Sequence, residues 1–209
     1  MDVTNETTLS GAQRFSRQGR SSVVLNFASA TRPSGGFLNG ARAQEEYLAR
    51  SSGLYQCLRD HPMYAFHAQQ DDPLYTDYVI YSPEVPVIRG DDGVLLEVPY
   101  TVSILTAPAM HADRVSPNRH EEINPAMWSR ILKVLAVGLA HGHDAIVLGA
   151  WGCGAFGNDG EAIASLFRKA LTENFQGAYR NIVFAILDQT RDHAFIGPFQ
   201  RAFRSRRLD

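Results

Sequence analysis

The sequence predicts an α/β fold, a three-layer sandwich in which a mixed central sheet is covered by helices on both faces. Three observations support this prediction. Short apolar runs typical of strands alternate with longer segments whose apolar residues recur at helical spacing. Glycine-rich loops follow two of the strand-like runs, where open α/β sheets place their ligand crevice. The composition of the 209 residues, 44% hydrophobic and 20% charged, is ordinary for a globular protein.

The bulk properties predict a single domain, residues 21–209, after a loosely held lead-in, residues 1–20, that shows no clear apolar period. No run of roughly 18 apolar residues and no signal-peptide core is present, so we expect a cytoplasmic protein without membrane contact. Two cysteines predict neither a disulfide framework nor a metal site, and no cofactor is expected. We expect a monomer.

The charge distribution offers nucleic acid no bulk attraction, because the formal net charge is -2. Basic residues gather only near the end of the chain, at Arg201, Arg204, Arg206 and Arg207. We expect this basic tail to be a solvated terminus.

In the first half of the chain, residues 23–27 predict a strand that enters a turn-rich loop over residues 29–40. From Ala41 the apolar residues take helical spacing, so we expect one helix that Pro62 stops. Four strands follow, with a hairpin turn at residues 90–93. Their predicted ranges are 77–81, 85–89, 94–98 and 101–107.

In the second half, Asn124-Pro125 predicts the N-cap and first turn of a helix that runs to about residue 140. Residues 145–148 form a buried strand by composition and lead into the glycine-rich loop over residues 149–157. Asn158 is then expected to cap another helix. Residues 181–187 predict a last strand before a short helical tail.

Both glycine-rich loops suit a phosphate or diphosphate. Gly35 and Gly36 lack a Cβ, and their loop leads to a helix whose amino end favours anions. The loop over residues 149–157 can expose amide N–H groups in the same way. One such loop is more simply a tight turn, but two of them after two strands favour an anion site. Neither has the spacing typical of kinases, GTPases or standard dehydrogenases.

Glu45 and Glu46 are adjacent on the predicted helix, about 100° apart around its axis, so they cannot perform the same task. A carboxyl group beside a glycine-lined, partly desolvated pocket has a raised pKa, as the general acid of glycosidic cleavage requires near neutral pH. Taken alone, the pair is more simply explained as solvated carboxylates that stabilise the amino end of a helix.

Three motifs together resemble the signature of poly(ADP-ribose) glycohydrolases. They are Asn26-Phe27-Ala28-Ser29-Ala30, Ser34-Gly35-Gly36 and, after seven further residues, Gln44-Glu45-Glu46. The likeness is to the shorter bacterial type, whose catalytic core is a macrodomain, and it continues through residues 47–55, 72–77, 80–87 and 148–158. It implies that the three-layer sandwich is macrodomain-like.

The resemblance implies hydrolysis of the O-glycosidic ribose–ribose bond of poly(ADP-ribose) and release of ADP-ribose, as in ADP-ribosylation turnover and the DNA damage response. Glu46 is the implied general acid and base, Glu45 orients the distal ribose, Phe156 packs against that ribose, and Gln44 supports the loop. The implied ligand-binding residues are Asn26, Ala28, Ser34, Gly35, Gly36, Asn39, Gln44, Gly152, Gly154, Ala155, Phe156, Gly157 and Asn158. Water captures the sugar after Glu46 protonates the leaving oxygen, and no metal is needed.

Ser34 departs from the family pattern, which has a glycine there. Its hydroxyl could crowd the phosphates or donate one more hydrogen bond. The residue therefore bears on rate and substrate preference.

Two other functions stay open at this point. The chain could hydrolyse mono-ADP-ribose linked to protein or nucleic acid, or it could bind ADP-ribose without cleaving it. The Gln44-Glu45-Glu46 motif favours an enzyme, because a binding module does not need an acid pair behind the first loop. The expected partners are ADP-ribose, poly(ADP-ribose) or ADP-ribosylated protein, and nucleic acid only where it carries ADP-ribose.

Other candidates are expected to be structural. Cys153 could be a nucleophile, but no histidine is spaced to serve it. His141 and His143 resemble a metal pair without a third ligand. The remaining aromatic candidates are Trp128, expected in the core, Trp151, left open, and Phe195 and Phe199, expected to anchor the tail rather than stack on adenine.

Overall fold

The computed structural model describes residues 1–204 of the chain, in which six strands form one sheet. The strands are β1 (Asp2–Thr4), β2 (Ser22–Phe27), β3 (Ile80–Arg89), β4 (Leu95–Ala107), β5 (Ala145–Leu148) and β6 (Asn181–Ala185). Their order is β1-β6-β5-β2-β4-β3. All neighbours are parallel except β3 and β4, which pair antiparallel at one edge. The predicted mixed sheet is therefore confirmed.

Helices cover both faces of the sheet, as predicted. They are α1 (Thr8–Arg17), α2 (Gln44–Ser51), α3 (Leu54–Leu58), α4 (Pro62–Gln70), α5 (Ile123–Ala140), α6 (Gly160–Lys169) and α7 (Ile196–Ala202). Within β2, Val24 packs with α1 to α4, whereas Val23 and Leu25 pack with α5 to α7. Successive side chains of a strand point to opposite faces, so one strand contributes to both apolar layers. None of these helices is long and apolar enough to cross a membrane.

Residues 1–20 form β1 and α1, which corrects the prediction of a loosely held lead-in. β1 pairs with β6 along the edge of the sheet. Leu9, Ala12 and Phe15 of α1 are buried against the sheet. Their spacing of three residues puts them on one helix face, but the polar residues between them obscure the period in the sequence. Of the basic tail, Arg201 and Arg204 are exposed, and Arg206 and Arg207 lie outside the described residues.

Several element boundaries differ from the prediction. β3 and β4 are each one strand where two were expected, because register shifts between Ser82 and Val85 let β3 continue along β4. The single helix expected from Ala41 is broken at Ser52, which makes a bridge to Val87 instead. Pro62 starts α4 rather than ending a helix, since a proline is tolerated in a first helical turn. The hairpin turn over residues 90–93 is confirmed.

Both predicted N-caps are wrong. Asn124 lies inside α5, which begins at Ile123 directly after a 3-10 turn and lacks a side-chain cap. Asp159 caps α6 by accepting a hydrogen bond from the Glu161 backbone N–H. Asn158 is buried and uses its amide elsewhere, in the adjoining loop.

The sheet has a topological switch point between β2 and β5. These neighbouring parallel strands end at the same edge. The chain leaves β2 for the face that carries α2 to α4, and it leaves β5 for the face that carries α6. The two connections therefore diverge and leave a crevice beyond the carboxyl ends of the strands.

Candidate active site

A cavity of about 860 Å³ opens at this crevice. Its walls come from the segments that follow β2, β4, β5 and β6 and from the first turns of α2. The volume is within the range of roughly 300–1,000 Å³ that is usual for small-molecule sites. Ten sequence-implied site residues line it: Ala28, Gly35, Gly36, Gln44, Glu45, Glu46, Gly152, Gly154, Ala155 and Phe156.

Glu46 lies in the first turn of α2 with only 7% of its surface exposed. One carboxyl oxygen, Oε1, accepts from the Gly36 backbone N–H at 2.8 Å, and Oε2 accepts from the Ala43 N–H at 2.9 Å. The carboxyl group therefore joins the glycine loop to the start of the helix. These bonds fix its position on the cavity wall.

Glu45 is more deeply buried, with 4% of its surface exposed. Burial raises the pKa of its carboxyl group to about 8, although hydrogen bonds from Ser29 and Asn26 partly oppose the shift. The Ser29 N–H donates to Oε2 at 2.7 Å, and Asn26 Nδ2 donates to Oε1 at 3.3 Å. The sequence predicts a raised pKa beside the glycine loop, and the structure places one on Glu45, which is thus mainly protonated at neutral pH.

The first glycine loop needs a glycine at position 35. Gly35 has φ +60°, and a Cβ there would lie 2.9 Å from Glu45 Oε2 and overlap Glu46 Oε1. The loop backbone and both carboxyl groups are therefore in direct contact. Ser34 also has a positive φ, 55°, and its buried hydroxyl has no hydrogen-bond partner among residues 1–204. Ser34 does not line the cavity.

Gln44 ties α2 to the end of β2. Its Oε1 accepts from the Phe27 N–H at 2.9 Å, and its Nε2 donates to the Leu25 carbonyl at 2.9 Å and to Thr8 Oγ1 at 3.1 Å. The amide side chain thus hydrogen bonds the part of β2 that lies past its pairing with β5. This arrangement sets where the two glutamates of α2 enter the cavity.

The second glycine loop is closed by Asn158. Its Nδ2 donates to the carbonyls of Gly152 and Met110, at 3.0 and 2.8 Å. Gly152 has φ +77°, and a Cβ there would lie 2.6 Å from that of Ala109. A side chain larger than hydrogen at position 152 would therefore push the loop away from the segment after β4.

Phe156 stands on the wall as a stacked pair with His111, with ring centroids 4.7 Å apart and planes inclined by 17°. His111 follows β4, so the pair joins two loops that are distant in sequence. An aromatic face held in this way can pack against one side of a sugar ring.

Five implied binding residues are not on the cavity wall: Asn26, Ser34, Asn39, Gly157 and Asn158. Asn26 and Asn158 lie behind it and hold Glu45 and Gly152 in place. Asn39 is exposed in a 3-10 turn, so a direct contact with a ligand in the cavity is not supported by its position. The resemblance in sequence marks the loops, but it does not distinguish wall residues from the residues that support them.

Several wall residues were not among the site residues that the resemblance implies. They are charged or aromatic residues spread over the whole chain, including Arg32, Arg42, Arg50, Tyr75, Asp91, His111, Arg114 and Phe195. For the arginines the sequence offers one hint, because Arg42 and Arg50 flank the third motif, Gln44-Glu45-Glu46. The others reach the cavity through loops whose paths the sequence does not indicate.

The remaining candidates have structural positions. Burial raises the pKa of the Cys153 thiol to about 12, which disfavours a thiolate nucleophile. His143 contacts Ser21 and Tyr81, and His141 stacks on Tyr81. Residues 1–204 hold no cluster of three or more groups able to bind a metal ion.

The aromatic candidates divide between core and cavity. Trp151 is buried, donates to the Ala107 carbonyl at 3.1 Å and also forms part of the cavity wall, whereas Trp128 is partly buried against the core. Phe199 is fully buried and packs on Phe184. Phe195, which was expected to anchor the tail, lines the cavity.

Comparisons with known proteins point to one family. A family model for the catalytic domain of microbial-type poly(ADP-ribose) glycohydrolase (PARG) matches residues 1–90. The poly(ADP-ribose) glycohydrolase of Thermomonospora curvata bound to the inhibitor ADP-HPD is 50% identical, with a TM-score of 0.94 over 97% of this chain and 78% of that one. The Deinococcus radiodurans glycohydrolase in complex with ADP-ribose is 43% identical, with a TM-score of 0.94 over 98% of this chain and 84% of that one. No curated protein sequence matches the chain.

Proposed function

The chain belongs to the microbial-type poly(ADP-ribose) glycohydrolase family, and on this premise we propose that its cavity holds the terminal ADP-ribose of poly(ADP-ribose) and hydrolyses the ribose–ribose bond. The observation that carries the proposal is the pair of buried carboxyl groups, Glu45 and Glu46, in direct contact with the glycine loop that lines the cavity. Two glycine-rich loops face the same space and leave room for a diphosphate.

In this arrangement the distal ribose lies between the glutamate pair and Phe156. Glu45, mainly protonated near neutral pH, donates a hydrogen bond to a ribose hydroxyl and adds no negative charge beside Glu46. Phe156, held by His111, packs against the sugar and limits where its anomeric carbon can lie. Positioning of this kind lowers the entropic part of the barrier.

Glu46 then transfers a proton to the glycosidic oxygen as the bond from the anomeric carbon to that oxygen breaks. Bound substrate excludes water and brings a negative diphosphate, and both favour the protonated form of a nearby carboxyl group. Positive charge develops on the ribose and is partly neutralised by the diphosphate. Water adds to the anomeric carbon and gives its proton to Glu46, which restores the acid. The N–H groups of Gly36 and Ala43 stabilise the carboxylate between these steps.

The test measures release of ADP-ribose from poly(ADP-ribosyl)ated protein, together with ADP-ribose binding by calorimetry. Glu46→Gln is expected to lower kcat by about 10²-fold or more, with binding retained, because a general acid contributes that much. Glu173→Gln, an exposed change outside the cavity, serves as the matched control. If the wild-type chain bound ADP-ribose but released none from the polymer, the proposal would be contradicted. The chain would then be either a binding module or a hydrolase of another linkage. Release of ADP-ribose from mono-ADP-ribosylated protein would distinguish these two functions.

The cellular setting belongs to the same proposal. Cys57 and Cys153 are free thiols, as is usual in a reducing compartment, and this supports a cytoplasmic location. A monomeric enzyme that removes poly(ADP-ribose) there would serve the recovery from DNA damage. Fractionation of cells and sedimentation of the purified chain test the two expectations.

A further inference from the structure

One rim of the cavity carries two arginines without a carboxylate partner among residues 1–204. Arg42 directly precedes Ala43, whose N–H donates to Glu46 Oε2. Arg50 follows Glu46 by one helical turn, and its guanidinium donates to the Ala41 carbonyl at 2.7 Å. Both side chains are exposed and line the cavity. Two positive charges therefore stand close to the proposed acid.

Two acidic residues that also line the cavity, Asp91 and Glu6, form no ion pair with these arginines. Asp91, at the hairpin tip, accepts hydrogen bonds from the hydroxyls of Thr7, Ser10 and Tyr47. Glu6 accepts from Arg14 at 2.7 Å and from a threonine hydroxyl. Arg42 and Arg50 are thus two positive charges beside Glu46 that no ion pair within residues 1–204 occupies.

The position of the rim relative to Glu46 indicates what that ligand is. The glycine loops take the diphosphate of the terminal unit, and the leaving oxygen has to lie beside the Glu46 carboxyl group to receive its proton. In the polymer this oxygen belongs to the ribose of the next unit, which carries its own diphosphate a few bonds away. The leaving unit therefore emerges near the rim that carries Arg42 and Arg50.

We propose that Arg42 and Arg50 form a second anion subsite, which binds the diphosphate of the ADP-ribose unit that leaves. This inference rests on the proposed function. Guanidinium groups suit the site because they bind phosphate oxygens through two parallel N–H groups. The subsite gives the polymer an advantage over substrates whose leaving group has no phosphate. It also makes cleavage of the polymer weaken with ionic strength, since exposed charges are screened by salt.

The experiment compares two substrates that share the terminal ADP-ribose. One is the ADP-ribose dimer, whose leaving unit carries a diphosphate, and the other is ADP-ribose with 4-nitrophenol on the anomeric carbon. For the Arg42→Gln, Arg50→Gln double variant, kcat/KM on the dimer is expected to fall about tenfold, as the loss of charge-assisted bonds implies. Its kcat/KM on the nitrophenyl substrate is expected to stay within about twofold, because that leaving group meets no anion site. Arg59→Gln, an exposed arginine outside the cavity, is the matched control.

Arg50 also holds the Ala41 carbonyl, so its loss could disturb the loop beside Glu46. Arg42→Glu, at a side chain with no hydrogen-bonded partner in the described chain, tests the subsite without that risk, and calorimetry with ADP-ribose checks that the first subsite is intact. An equal fall on both substrates, or no fall on the dimer, would overturn the subsite. Cleavage of neither substrate by the wild-type chain would instead contradict the proposed function and the subsite with it.

Discussion

At the scale of single residues, two adjacent glutamates acquire different properties because of the atoms around them. Glu46 accepts two backbone N–H groups, whereas Glu45 has one N–H and one long side-chain contact. Burial then outweighs hydrogen bonding at Glu45 and raises its pKa to about 8. A neutral Glu45 therefore adds no negative charge beside Glu46 near neutral pH.

This difference makes stability depend on pH. The carboxyl group of Glu45 has a pKa of 4.5 when unperturbed and about 8 when folded, so the folded protein holds an extra proton between these values. The free energy of unfolding therefore falls as the pH rises from about 4.5 to about 8. A difference of one between the pKa values of the folded and unfolded states corresponds to about 1.4 kcal/mol in the free energy of unfolding. We expect Glu45→Gln to remove a few kcal/mol of this pH-dependent change in the free energy of unfolding, which urea unfolding at pH 5 and pH 8 measures. Glu97→Gln, at an exposed glutamate, is the control. If the free energy of unfolding changed equally with pH in the wild type and in Glu45→Gln, the raised pKa of Glu45 would be contradicted.

Ser34 stores strain that a glycine would release. It is a non-glycine residue at φ 55°, and its buried hydroxyl has no hydrogen-bond partner in the described part of the chain. Ser34→Gly is expected to raise the free energy of unfolding by about 1 kcal/mol, because the strain removed exceeds the extra chain entropy of glycine. Because Ser34 is off the cavity wall, ADP-ribose affinity should stay within about twofold, which calorimetry can check. Ser34→Ala removes only the hydroxyl, so equal stabilisation by both variants would locate the cost in the hydroxyl rather than in the backbone.

At the scale of elements, the segment between β6 and α7 shows how a loop is held at the cavity. Asp188 is buried and accepts hydrogen bonds from Thr190 and from the N–H groups of Phe195 and Ile196. Burial by itself would raise the pKa of Asp188, but these hydrogen bonds prevail and hold it at about 2. Asn5 exchanges two hydrogen bonds with the same residue, which ties the start of the chain to this loop.

Asp188→Asn is expected to loosen this loop and to weaken ligand binding. The amide nitrogen cannot accept two N–H groups, so we expect a loss of about 2 kcal/mol of stability at pH 7. The depressed pKa means that this contribution is present above about 3.8 and is lost as the pH falls towards 2. Phe195 lines the cavity, and its displacement should raise the Kd for ADP-ribose by several-fold in calorimetry. An unaltered Kd for ADP-ribose would show that the loop is held by packing alone. Asp192→Asn, at an exposed aspartate of the same loop, is the control.

At the scale of the whole molecule, two apolar layers enclose one sheet, and the first twenty residues belong to that structure. α1 covers the face formed in part by Val24, Val147 and Ala185. β1 extends the same sheet at its edge beyond β6. The cavity depends on this segment as well, because Thr8 of α1 accepts a hydrogen bond from Gln44.

Phe15→Ala tests whether α1 belongs to the cooperative core. The ring is 4% exposed, and its removal leaves a cavity against the sheet. We expect a loss of about 3 kcal/mol or more in urea unfolding, the usual cost of truncating a buried phenylalanine. Arg17→Ala, exposed on the same helix, should change stability by less than about 0.5 kcal/mol. Similar small effects of both changes would support the loosely held lead-in that the sequence predicts.

The sequence by itself determined the layered α/β fold, the strands β2, β5 and β6, and the two glycine loops with their glutamates. These features depend on local apolar periodicity and on short motifs, which lie within a few residues of each other. It did not determine α1, α4 or the helix caps, where burial and competing hydrogen bonds override local preference. Only the tertiary structure decided that Glu45 carries the raised pKa, that Asn26 and Asn158 support the wall, and that Arg42, Arg50, His111 and Phe195 reach it. Desolvation and contact between distant loops arise from packing, so no local pattern in the chain encodes them.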